Sequence, residues 1–244
     1  MSDRSGAEVL VRVVSDIHGN IQALRSVLED PPGKEADVTV CLGDVVGYGA
    51  RPSECISVVR DACSTVVRGN HDSGAAGLLE PEFFNEAGRE ALRWTESRLS
   101  DDEVDWLGSL PLTADLDGLF LCHSYPHAPD TWAYVLYSHM VLASCRDHPG
   151  KVCLIGHTHL PLGWNEYGEP TEAESGLLDD VCLINAGSVG QPRDGNSRAA
   201  YLLVDTDSGT WSHRRVRYSV SDAASDIRDA GLPRTLWTRL SRGR

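Results

Sequence analysis

The chain has 244 residues, of which 41% are hydrophobic and 24% charged, enough to build one sizeable core and too apolar for disorder to describe its bulk. Its 22 basic and 36 acidic residues give a net charge of −14, which opposes non-specific binding to nucleic acid or anionic lipid. No stretch approaches the roughly 20 apolar residues of a membrane span, and Met1 to Leu10 lacks the apolar core of a signal peptide, so the cytoplasm is the expected location.

In chain order, Val9 to Val14 is a β-branched strand, and Ile21 to Leu28 repeats apolar residues at helical spacing. Asp37 to Leu42 is strand-like and Gly43 to Gly49 a glycine-rich loop. Pro52 to Ala62 is a helix with proline in its first turn, and Ser64 to Val67 the next short strand. This alternation predicts a largely parallel sheet with helices packed on it, the α/β class. Residues 81–107 read as two helices inserted between strands, forming a cap or rim on a single domain spanning 1–244. Leu112 to Leu116 and Leu119 to Cys122 flank Asp117-Gly118, a hairpin signal at which a second sheet starts. Lys151 to Ile155 is a buried strand; Val181 to Ile184, Ala199 to Val204 and Gly209 to Val216 are expected as a meander. Ser219 to Ala230 is a closing helix, and Ser241 to Arg244 is expected to fray.

Cys41, Cys55, Cys63, Cys122, Cys145, Cys153 and Cys182 are odd in number, scattered and without a CxxC pair. Neither a disulfide framework nor a thiolate metal site is expected from them. Trp94, Trp106 and Trp237 are either core fillers or interface residues, so the oligomeric state stays open.

Five of the nine histidines fall in short polar motifs that directly follow predicted strands. The motifs are Asp16-Ile17-His18-Gly19-Asn20, Gly43-Asp44-Val45-Val46-Gly47, Gly69-Asn70-His71-Asp72, the single His123, and Gly156-His157-Thr158-His159. Strand C-terminal ends of an open α/β sheet converge on one crevice, so these residues can share a site. Taken alone, Asp16 and Asp44 read as helix caps, His18 or His123 as a hydrogen-bonded core histidine, and Gly43 to Gly49 as a plain turn. Five motifs in one pattern argue against each of these separately. Carboxylates, an asparagine carbonyl and imidazoles suit Mn, Fe, Zn or Ni. Seven such donors fit two ions about 3.5–4 Å apart if a carboxylate bridges them.

These motifs, DxH, GDxxG, GNHD, a lone histidine and GHxH in this order, resemble the signature of the calcineurin-like metallophosphoesterase superfamily. Asn185-Ala186-Gly187-Ser188 with Pro192-Arg193 is similar to its small prokaryotic phosphodiesterase branch. The resemblance implies a four-layer α-β-β-α sandwich with two mixed sheets. It implies Asp16, His18 and His159 as ligands of one divalent ion, Asn70, His123 and His157 as ligands of the other, and Asp44 as the bridge, with manganese the leading metal. His71 matches the catalytic histidine that protonates or stabilises the leaving oxygen, and Asp72 is its neighbour and candidate orienting group. A metal-activated hydroxide would attack phosphorus in line. Asn20, Asp72 and Arg193 are candidate substrate contacts, and Tyr125, His127, Trp132 and Tyr134 a candidate aromatic wall.

Protein serine/threonine phosphatases carry GDxVDRG and a glutamate after GNH, whereas this chain has Gly47-Tyr48-Gly49 and Asp72. Hydrolysis of a phosphodiester or small phosphomonoester is therefore the expected activity, on a soluble small molecule. A non-catalytic interaction scaffold on the same fold would be expected to have lost ligands that are all present here. A nuclease is opposed by the acidic balance.

Overall fold

Along Leu10–Val14 (β1), Val11 and Val13 face a core between two sheets while Val14 faces an outer layer of helices, as strand periodicity requires. The computed structural model describes residues 9–171 and 173–244; all but the last two residues of the Met1 to Leu10 stretch lie outside them. After β1 come α1 (Ile21–Leu28), α2 (Pro31–Lys34), β2 (Val38–Cys41), α3 (Pro52–Ala62), β3 (Thr65–Val66) and α4 (Asn70–Ala75). Next come α5 (Glu86–Glu96) and α6 (Asp101–Ser109). Then follow β4 (Thr113–Leu116), β5 (Leu119–Cys122), α7 (Ser138–Asp147), β6 (Val152–Ile155), β7 (Leu162–Trp164), β8 (Pro170–Thr171) and β9 (Ser175–Leu177). The chain ends with β10 (Leu183–Asn185), β11 (Ala199–Asp205), β12 (Thr210–Val216), α8 (Val220–Asp229) and α9 (Arg234–Thr238).

The strands form two six-stranded mixed sheets, ordered β3-β2-β1-β11-β12-β9 and β4-β5-β6-β10-β7-β8. In the first, β1, β2 and β3 are mutually parallel; in the second, β5, β6 and β10 are. Leu119 and Leu121 meet Val11, Val13, Val40 and Leu202 between the sheets. Phe120 and Cys122, one residue out of phase, face outward with Val141 of α7. On the other side, α1 and α3 bury Leu24, Val27, Ile56 and Val59 against the first sheet. The result is the four-layer α-β-β-α sandwich, with two mixed sheets at its centre.

Several local expectations change. The meander does not form: β10 joins the second sheet while β11 and β12 pair as a hairpin in the first. Buried strands lack the polar alternation that would reveal which sheet they enter. Residues 241–244 do not fray, because Leu236 and Leu240 are buried with Ala91, Ala223 and Ile227, and Gly195 N–H donates to Gly243 O at 2.8 Å. Cys145 of α7 and Cys182 beside β10 form a disulfide, brought together by packing of α7 on the second sheet across 37 residues of sequence; the other five cysteines are free. Helix α7 and the short strands β7, β8 and β9 have no counterpart in the sequence reading. Trp94, Trp106 and Trp237 are half-buried, with the guanidinium groups of Arg98, Arg60 and Arg234 lying 5.1, 5.6 and 5.9 Å from their rings. Among the described residues, no helix is long and apolar enough to cross a membrane.

Candidate metal centre

Because β1, β2 and β3 run parallel in one sheet and β5 and β6 in the other, the loops after all five strands meet at one end of the sandwich. They are stitched together by backbone hydrogen bonds: Asp16 N–H to Gly43 O at 3.0 Å, His18 N–H to Asp44 O at 2.9 Å, and Gly156 N–H to His123 O at 2.9 Å. Asp16, His18, Asp44, His157 and His159 all have left-handed backbones, with φ of 52, 49, 54, 67 and 62°. Each such non-glycine residue costs on the order of 1–3 kcal/mol and persists only where its surroundings over-determine it. Glycines allow the loops to approach: a Cβ at Gly69 would collide with the Asp44 carboxylate, and one at Gly156 with Ser15 Oγ.

Three overlapping groups result, and one of them, His18, Asp44 and His71, joins the other two. Of those two clusters, Asp16, His18 and His159 form one, with His159 Nε2 3.2 Å from Asp16 Oδ1 and 3.1 Å from His18 Nε2. Asp44, His123 and His157 form the other, with His123 Nε2 3.3 Å from Asp44 Oδ2 and 3.2 Å from His157 Nδ1. Asp44 Oδ2 also lies 3.7 Å from His18 Nε2, which places it between the clusters. All of these side chains are buried.

The outward ring nitrogens fix the tautomers. His18 Nδ1 donates to Val46 O at 3.1 Å, His123 Nδ1 to Leu42 O at 2.8 Å, His159 Nδ1 to Gln191 O at 2.6 Å and His157 Nε2 to Trp132 O at 2.9 Å. A carbonyl can only accept, so in each neutral ring the inner nitrogen presents a lone pair. The lone pairs of His18, His157 and His159, the inner nitrogen of His123 and two carboxylates then face one buried volume, and Asn70 Oδ1 is a buried acceptor without a partner. Such a donor set fits divalent cations and would be electrostatically unfavourable without positive charge.

Electrostatics follow the same plan. Burial opposes ionisation of Asp16 and Asp44, yet the neighbouring histidines, His159 for Asp16 and His123 for Asp44, bring both carboxyls below the ordinary range. Burial lowers His18 and His159, takes His157 down to about 3 and His71 down to about 4. His123 is the exception: although burial opposes its charge, Asp44 carries it up to about 9.

His71 lines the same pocket, which has a volume of about 80 Å³. Its amide donates to Asp44 Oδ1 at 2.8 Å, and its ring is held by Tyr48 and Phe84, with centroids 4.3 and 4.8 Å away. Arg193 also lines the pocket. Asn20 and Asp72 do not. Asn20 caps α1 through Ala23 N–H and donates to Gly190 O, so both ends of its amide are engaged. Asp72 is fully buried and accepts from the amides of Asp44, Val45, Val46 and Gly69; burial, followed by the Asp44 charge, raises its carboxyl to about 7. Of the aromatic wall, Tyr134 reaches the pocket, stacked on His157 at 4.2 Å, and Trp132 contributes its carbonyl. Tyr125 packs with the α7 layer, and His127 lies 2.5 Å from Asp147. Phe83, Phe84 and Asn85 complete the rim. They escaped the sequence reading because one aromatic pair between a proline and a helix cap carries no recognisable pattern.

Known proteins agree with this geometry. The family model described as the calcineurin-like phosphoesterase superfamily domain matches residues 9–209. The chain is 35% identical over 242 residues to an uncharacterized protein of Methanocaldococcus jannaschii, covering 96% of this chain and 98% of that protein. It is 27% identical over 201 residues to the phosphodiesterase YfcE of Escherichia coli, covering 79% and 85% of the two chains. The crystal structure of a metallophosphoesterase from Sphaerobacter thermophilus superposes with a TM-score of 0.87 at 33% identity, covering 97% of this chain and 100% of that one. The two sheets, the converging strand ends and these likenesses together make the chain a phosphoester hydrolase that belongs to the small prokaryotic branch of the calcineurin-like phosphoesterase superfamily.

Proposed function

We propose that this chain is a two-metal phosphoesterase that hydrolyses phosphodiester or phosphomonoester bonds of a small molecule. Asp16, His18 and His159 would hold one divalent ion, Asn70, His123 and His157 the other, and Asp44 would bridge them. When bound, such a pair offsets charge on the phosphoryl oxygens and lowers the pKa of water for in-line attack on phosphorus. The observation that carries the reading is the pair of buried carboxylate–histidine–histidine groups, Asp16 with His18 and His159 and Asp44 with His123 and His157, which a third group of His18, Asp44 and His71 links through Asp44.

The chain's own residues supply the rest. His71 stands beside the departing oxygen, where its imidazole donates a proton or hydrogen bond. Tyr48 and Phe84 pack against that ring. Arg193 is a phosphate contact. Asn20 and Asp72 act as positioning residues, spending their hydrogen bonds on the loops that bear the ligands. The narrow pocket and the acidic chain favour a small substrate over a nucleic acid.

Hydrolysis of bis-p-nitrophenyl phosphate and p-nitrophenyl phosphate with added manganese, with metal content measured on the same preparation, tests the reading. Activity with two ions per chain, lost in Asp44→Asn, is expected. Metal-loaded protein that cleaves neither ester would refute it.

A further inference from the structure

Beside the metal pocket lies a second cavity of about 430 Å³, and Asn85 lines both. Arg239, Arg242 and Arg244 line the second cavity together with Thr235 and Thr238, and no acidic side chain does so. In a chain of net charge −14, three arginine side chains around one cavity that no acidic side chain lines form a local reversal of sign. Arg193 stands on the metal-pocket side of the junction. Among the described residues, none of these four arginines pairs with a carboxylate side chain. Arg193 Nε is buried without a partner, while its Nη2 donates to Gln191 Oε1 at 3.1 Å. Arg239 Nε donates to the terminal main-chain oxygen of Arg244, and among the described residues the Nη groups of Arg239 have no hydrogen-bond acceptor.

The cavity is built by the segment whose order departs from the sequence reading. Leu236 and Leu240 anchor it in a buried cluster. Gly243 packs so closely on Asn196 that a Cβ there would meet the Asn196 amide nitrogen at 2.5 Å, and its carbonyl accepts from Gly195 N–H. The loop that carries Arg193 and the segment that carries Arg239, Arg242 and Arg244 are therefore held together. Burial, and then the like charge of Arg193, lower the pKa of Arg239. Repulsion between unpaired guanidinium groups is relieved by an anion, and planar guanidinium groups match phosphoryl oxygens.

We propose that this arginine-lined cavity is a subsite for a second phosphoryl group of the substrate, so that the preferred substrates are bisphosphorylated small molecules. This rests on the phosphoesterase reading: one phosphoryl group sits at the metal centre while the other, separated by the body of the substrate, sits among Arg239, Arg242 and the threonine hydroxyls. Water cleaves the P–O bond at the metal centre, giving orthophosphate and an alcohol that keeps the distal phosphate.

Matched pairs of alkanediol bisphosphates and alkyl monophosphates of three to six carbons test the subsite in the metal-loaded protein. The expected result is a kcat/KM at least tenfold higher for the best bisphosphate, expressed in KM, with the preference falling as KCl is raised. In Arg239→Ala/Arg242→Ala the ratio of bisphosphate to monophosphate kcat/KM should fall at least tenfold. Arg242→Gln, at an exposed position, should lower it several-fold with the melting temperature unchanged. Equal use of the paired esters, or a preference that survives these substitutions, overturns the subsite while leaving the phosphoesterase reading intact. Calorimetric binding of inorganic pyrophosphate to metal-stripped protein reads the cavity independently of catalysis. Binding weakened at least fivefold by Arg242→Gln supports the subsite even if no ester is cleaved, an outcome that would sink only the phosphoesterase reading. Absence of pyrophosphate binding overturns the subsite.

Discussion

The backbone amide of His157 donates to both carboxylate oxygens of Asp16, at 3.2 and 3.0 Å. Asp16 belongs to one donor cluster and His157 to the other, so one side chain supports both. Asp16→Asn turns an N–H group toward that amide, and is expected to deplete both ions. Loss of an outer-shell partner costs about 10–100-fold in metal affinity, and that loss should appear at the His157 cluster as well. His159→Gln, which removes a donor of only the first cluster, should deplete one ion. Metal content after dialysis distinguishes the two: equal losses in the two variants would break the link between the clusters.

Asp72 performs a related task by accepting four backbone amides, those of Asp44, Val45, Val46 and Gly69. Asp72→Asn replaces one acceptor oxygen by a donor that faces those amides. A destabilisation of about 2–3 kcal/mol is expected from lost hydrogen bonds to a buried group. For a chain of this size that is a melting temperature lower by about 4–12 °C. Activity should fall with metal affinity and be partly restored by excess manganese. A variant with unchanged melting and metal affinity would show that Asp72 does not hold the Asp44 loop.

The contrast between Asp44 and Asp72 shows what the sequence reveals. The gathering of Asp44, His123, His157 and His159 in one buried site was legible because residue types suited to metal binding follow successive strands, and the order of motifs survives in the sequence. The fold class was legible for the same reason, since strand, loop and helix alternate from Val9 to Ala62. Asp72 and Asn20 were not read correctly as to direction: both stand within a motif, but their hydrogen bonds go to backbone amides and carbonyls, which leave no sequence pattern. The carbonyls of Leu42, Val46, Trp132 and Gln191 that orient the histidines are invisible for that reason too. The placement of β10 and the docking of Leu240 depend on long-range burial, which no local window contains.

Gly47 lies against His71, and a Cβ there would meet His71 Nδ1 at 2.5 Å; its φ of 88° also disfavours any other residue. Gly47→Ala is therefore expected to push the imidazole out of place while leaving the two donor clusters intact. The expected outcome is a loss of about 10²–10⁴-fold in kcat, the range of a general acid or base, with two ions still bound. Combining it with His71→Ala should add little, because both changes remove the same group. Fully additive losses would mean that Gly47 acts through something other than His71.

His213, half-buried on β12, donates from Nε2 to Asn185 O at 2.8 Å and so joins the two sheets. Burial lowers its pKa from 6.5 to about 4, against the pull of that hydrogen bond. Because the folded value lies below the unfolded one, the unfolded chain takes up the proton first as the medium is acidified. The stabilisation is fully present above about pH 6.5 and is lost between about 6.5 and 4. At roughly 1.4 kcal/mol per pKa unit, it amounts to at most about 3.5 kcal/mol. His213→Gln keeps a donor of similar reach but cannot titrate. Urea unfolding of chelator-treated wild type and variant should therefore give free energies that differ more at pH 7 than at pH 4.5, with the variant relatively better in acid. The other buried histidines titrate in both proteins and cancel in the difference. If the two stability curves run parallel across that interval, His213 contributes nothing to the acid lability of the fold.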